Sequence, residues 1–105
     1  MHVAVEERKE LAKLSLRLAS QEAELNRIDT AFVAAAKAGT RLPSATKIFG
    51  ALADASIVCA EGIDIYGARP IPENVRAGLI RLHCAITDLE ASLKLYAALS
   101  VSEEN

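Results

Sequence analysis

Apolar residues recur along the first third of the chain at alternating intervals of three and four. Leu11, Leu18, Leu25 and Phe32 hold one position of this heptad, and Leu14, Gln21, Ile28 and Ala35 hold the other. Gln21 is the single polar intrusion, while Glu10, Lys13, Arg17, Glu24 and Arg27 fall off the seam. Such spacing puts the apolar side chains on one face of a helix, so the pattern predicts a long amphipathic helix over about 3–38. Lys37 complements the negative end of its dipole just before Gly39.

The last third follows the same logic. Val75, Leu79, Leu82, Ile86, Leu89, Leu93 and Tyr96 form a seam, widened by Ile80, Leu95 and Leu99. Pro72 suits a first helical turn and Glu73 the positive end of the dipole, so a helix is predicted over about 72–101. Glu90 and Lys94 stand one turn apart on its outside.

The middle third is patterned differently. Lys47, Asp54 and Glu61 recur every seven residues as one thin polar stripe, and Ile48, Phe49, Leu52, Val58, Cys59, Ile63 and Tyr66 spread over most of the remaining circumference. A helix apolar on nearly all sides must be covered on nearly all sides. The segment over about 44–66 is therefore expected to be the central, most buried helix. Gly62 offers an earlier stop, which would leave Ile63-Asp64-Ile65-Tyr66 extended in a strand-like alternation.

Gly39-Thr40-Arg41-Leu42-Pro43 and Gly67-Ala68-Arg69-Pro70-Ile71-Pro72 separate the three segments, each joining a glycine stop to a proline restart. Connections this short join antiparallel neighbours. The expected architecture is an all-α fold in a single helical domain over 1–105: an antiparallel three-helix bundle with a long first helix. Helix one exceeds helix two by about 13 residues, or roughly 20 Å. Leu11, Leu14 and Leu18 continue its seam towards that overhang, and they are the expected seam of a homodimer that completes the bundle. Gly50 and Gly78, costly inside helices, are expected where helices approach closely, together with Ala51, Ala55 and Ala77.

Composition agrees with helices and narrows the class. The chain has 105 residues, of which 51% are hydrophobic and only 4% aromatic. That is one domain's worth of chain, with an apolar mass of Ala, Leu, Ile and Val. A net charge of −2 argues against a nucleic-acid binder with a generally basic surface. Asp54, Glu61 and Asp64 interrupt the most apolar stretch and argue against a membrane span. The opening residues turn charged before an apolar signal core can form. Cys59 and Cys84 are too few to staple a small secreted fold, so a cytoplasmic setting with two buried, inert thiols is expected.

Candidate chemistry is sparse. His83 and Cys84, adjacent on one helix, point about 100° apart and cannot form a ligand pair, so neither a metal nor a cofactor is expected. Histidine phosphotransfer bundles carry a lysine and a glycine downstream of the reactive histidine, where this chain has Ile86 and Thr87. Helical chorismate mutases gather several cations around two carboxylates; Arg8, Arg17, Arg27 and Lys37 do not fall into that motif. One constellation stands out: antiparallel packing brings Lys13 and Arg17 to the loop that carries Arg69, near Arg76. This basic end would suit an acidic protein segment or a phosphate-bearing ligand, although Glu6, Glu7, Glu10 and Glu73 are near enough to neutralise it.

The function expected is that of a non-enzymatic, self-associating helical interaction protein, such as an adaptor, a chaperone or a small regulatory subunit. A helical bundle that senses or binds a small ligand is the alternative, and a small all-helical enzyme the third reading. A contiguous apolar outer patch would favour the first. A pocket lined by convergent polar groups would favour the others.

Overall fold

A computed structural model describes residues 2–68 and 70–104, with side chains over 5–67 and 70–96. Three helices account for nearly all of it: α1 (His2–Ala38), α2 (Ala45–Ala68) and α3 (Glu73–Glu104). No strand occurs among the described residues, and α2 runs straight through Gly62 and the alternating segment behind it.

The helix ends follow from local chemistry. Gly39 adopts φ 70°, a left-handed conformation that costs glycine nothing sterically. This turn lets the Gly39 amide donate to the Ala36 carbonyl at 3.4 Å and the Thr40 amide to the Ala35 carbonyl at 3.0 Å. These two bonds make a Schellman stop, satisfying carbonyls that the last turn would leave bare. Ser44 opens α2 by accepting a bond from the Lys47 amide on its Oγ at 3.2 Å, the geometry of an N-cap. Pro72 sits just ahead of α3 rather than within its first turn, and its carbonyl accepts from the amides of Val75 and Arg76, each at 3.1 Å.

Cross-helix contacts give the directions. Leu18 packs beside Gly78, Glu22 bonds Arg81, and Phe32 meets Tyr96, so α1 and α3 run parallel. Arg17 reaches Glu61 and Gly62 abuts Leu79, so α2 runs antiparallel to both. The bundle measures 64 × 21 × 20 Å, and its most extensive helix–helix interface is between α1 and α3.

Both long seams are buried as their spacing requires. Leu14, Leu18, Leu25, Ile28 and Phe32 from α1 meet Val75, Leu79, Leu82, Ala85 and Leu89 from α3, and Ile48, Ala55, Val58 and Cys59 close the core from α2. Leu18, Leu25, Leu82 and Leu89 are completely enclosed. Each such side chain contributes on the order of 1.5–3 kcal/mol through burial. Leu11, Leu93 and Tyr96 pack on the margin, where the Phe32 and Tyr96 rings meet edge-on at 5.6 Å.

Four expectations need correction. First, α2 is not central: a three-helix bundle gives each helix two neighbours, so one side of α2 faces outward whatever its sequence. Second, Leu14 and Leu18 are 4% and 0% exposed inside the single chain, and Leu11 is half-buried. The start of α3 accounts for this, because Pro72, Asn74 and Val75 border Arg8, Leu11 and Ala12. Measuring helix one against helix two alone ignored that reach. Third, a Cβ on Gly50 would meet nothing within 4 Å, so Gly50 marks no close approach. Gly62 does: a Cβ there would collide with the Leu79 side chain, which explains a glycine within a continuous helix. Fourth, Cys84 is exposed, one step off the seam that buries Leu82 and Ala85.

Candidate functional site

The inner face of α2 is lined by small or medium residues, Ile48, Ala55, Val58 and Gly62, which let it lie close against α1 and α3. Its outer flank, beside α3, carries a second heptad: Phe49, Leu52, Ser56, Cys59, Ile63 and Tyr66, spaced alternately by three and four. Cys59 is buried in the core and Leu52 is half-buried, but Phe49, Ile63 and Tyr66 remain 62%, 58% and 53% exposed. Ile80 of α3, at 55%, extends the same surface. Singly exposed apolar residues are ordinary, whereas several on one seam mark an interaction surface. Leu16 and Ile57, exposed elsewhere on their helices, belong to the ordinary kind.

At one end of this seam the two helices diverge around a shallow cavity of about 300 Å³, lined by Ile63, Tyr66, Arg76, Leu79 and Ile80. Its lining is mainly apolar, with the exposed Arg76 as its one charged residue. A neighbouring cavity at the start of α3 is also mainly apolar, bordered by Arg8, Leu11, Ala12, Pro72, Asn74 and Val75. Neither brings together the convergent polar side chains that orient a small ligand.

The expected basic end is distributed among carboxylates. Arg17 donates to Glu61 at 2.6 Å, so this carboxylate of the polar stripe joins α1 to α2. Lys13 shares a polar groove with Glu6, Lys9 and Glu10. Arg76 lies 3.9 Å from Glu73, and Arg69 falls outside the described residues. Arg81 similarly donates to Glu22 at 3.2 Å, tying α3 to α1. These pairs lie at the surface, where each is worth roughly 0–1 kcal/mol.

Cys59 and Cys84 are both free. Burial pushes the Cys59 thiol above its ordinary pKa by penalising the thiolate. His83 is exposed, and its carbonyl accepts a bond from the Thr87 hydroxyl at 2.9 Å. No three His, Cys, Asp or Glu side chains gather in a metal-binding cluster among the described residues, and none of the described helices is long and apolar enough to cross a membrane. Asp29 Oδ1 is the one side-chain oxygen found buried without a hydrogen-bond partner among the described residues; no periodicity had marked it.

The outer seam of α2 was visible in the sequence as apolar positions, but its exposure was not. No protein-family model, curated protein or solved structure matches this chain.

Proposed function

We propose that this chain is a non-enzymatic helical interaction protein that self-associates, serving as an adaptor or small regulatory subunit in the cytoplasm. The observation that carries the reading is the outer seam of α2: three large apolar side chains more than half exposed, continued by Ile80 on α3. Leaving that surface in water forgoes about 25 cal/mol for each Å² that a partner would cover. The core beneath it is built of apolar side chains, with no buried polar or charged residue among those described. A bundle of this kind holds its shape without the seam and leaves the seam available for docking. The two free thiols fit a reducing compartment. The mixed-charge end has no comparable surplus, because its cations have carboxylates close by.

Sedimentation equilibrium tests the reading. The expected result is a concentration-dependent species of twice the 11.2 kDa chain mass. Ile63→Glu should shift the equilibrium towards monomer with helical circular dichroism unchanged. A monomer at high micromolar concentration would refute self-association.

A further inference from the structure

The outer seam of α2 has an order of sizes that reads alike from both ends. Phe49, Leu52, Ser56, Cys59, Ile63 and Tyr66 run large, medium, small, small, medium, large. Turned end over end about a point between Ile57 and Val58, the seam meets itself. Phe49 then faces Tyr66 and Leu52 faces Ile63, with the exposed Ser56 beside the axis and Cys59 kept inside its own core. Ala53 and Ala60, both exposed near the middle of the seam, keep the centre thin enough for two backbones to approach.

We infer that a second copy of this chain covers the seam, antiparallel and two-fold symmetric, with Phe49 of each copy seated in the cavity of the other formed by Ile63, Tyr66, Arg76, Leu79 and Ile80. The inference rests on the self-association proposed above and adds its surface, direction and register.

Three observations support a second copy as the occupant. The first is complementarity. Phe49 is the most exposed aromatic on the seam, and the cavity is the apolar hollow at the seam's other end. Phe49 and Tyr66 stand 17 positions apart on one helix, about 25 Å at the standard rise. No chain can therefore fill its own cavity, yet a two-fold axis at the middle of the seam fills both at once.

The second is the chemistry of the rim. Arg76 lines the cavity and lies 3.9 Å from Glu73, a loose exposed pair that an incoming ring could share. A cation over an aromatic face is attracted by the ring quadrupole.

The third is area. A whole Phe or Tyr buries 150–250 Å², so each of the four half-exposed apolar residues offers roughly 100 Å². Two copies together would cover about 800 Å² from these residues alone, before the contributions of Leu52, Ser56, the alanines and Arg76. With them the interface approaches the roughly 1,200 Å² at which specific association begins. An interface at this low end of size is characteristic of transient rather than permanent association.

Cross-linking decides direction and register. On a Cys84→Ser background, which removes the exposed native thiol, Phe49→Cys and Tyr66→Cys are prepared separately. Both sites are exposed in the single chain, so neither replacement disturbs the fold. A short bifunctional thiol reagent should join a Phe49→Cys chain to a Tyr66→Cys chain when the two are mixed, and should join neither variant to itself. Self-cross-linking of each variant alone would mean a parallel pairing and overturn the inference. So would a protein that dimerises by sedimentation without any cross-link at these sites, because the interface would then lie elsewhere although self-association survives. Phe49→Ala should weaken dimerisation by roughly tenfold or more, the scale of an aromatic anchor. An unchanged dissociation constant would remove Phe49 from the interface.

Discussion

The two sides of α2 divide its bulk between the core and the surface. The side that meets α1 and α3 carries Ala55, Val58, Cys59 and Gly62 with Ile48 and the half-buried Leu52 and Ile65, whereas Phe49, Ile63 and Tyr66 stay exposed. A bundle optimised to stand alone would place its bulk inside. Here the small residues draw α2 against its neighbours, most tightly where Gly62 meets Leu79, and the large ones are left for another surface. Hydrophobicity along a helix thus records every surface it will touch, not only those in its own chain.

The comparison is broken most directly by deletion on each side of the divide. Leu82→Ala empties an enclosed site and should cost about 2–5 kcal/mol in urea unfolding. That is a large share of the roughly 5–15 kcal/mol available to a domain. Ile63→Ala, measured at a concentration where the chain is monomeric, should stay within about 0.5 kcal/mol of the parent. Equal losses at the two sites would mean that the outer seam is covered within the chain.

Glycines sharpen the comparison at the level of a single methyl group. Gly62→Ala forces Leu79 to move in a packed core, which costs roughly 1–3 kcal/mol against a propensity gain of about 1 kcal/mol. A net loss of around 1 kcal/mol is expected. Gly50→Ala adds the same methyl in open space and should stabilise by roughly 0.5–1 kcal/mol. Thermal unfolding of the two variants should therefore shift in opposite directions.

Smallest in energy is the contrast between the thiols. Cys84 should label rapidly in the native state, and Cys59 only when the bundle opens. Burial raises the Cys59 pKa above the ordinary 9.0. The thiol therefore supports folding fully below that ordinary value, where both states keep the proton. The support is lost as pH rises through the raised native value, because the unfolded chain ionises first. Cys59→Ala should flatten this alkaline decline; an unchanged slope would assign it to other groups.

Much of the architecture was legible in the chain. The heptads ending at Phe32 and Tyr96 identified two long helices and nearly all of their buried residues, because a seam on one helix is visible within that helix. Gly39 identified its own turn for the same local reason. Cys84 departs from the expected burial because 100° of rotation separates each residue from the next, and one step from a buried position is enough to reach solvent. Arg17 falls among the cations of its end in the sequence, and packing pairs it with Glu61 of the opposing helix. The outer seam of α2 is visible in the sequence as apolar residues, but periodicity alone places such residues in the interior.

Periodicity, glycine stops and proline restarts established three helices, their order and the faces that avoid water, since all of these arise from interactions within a few residues. Which apolar face meets which neighbour depends on how many helices the chain supplies and how far each reaches along the others. The reach of α3 back to Arg8 buried Leu14 and Leu18 within one chain, and two neighbours for α2 left Phe49, Ile63 and Tyr66 outside. Both outcomes are properties of the assembled volume, in which coverage is shared among helices, and no single helix carries that information.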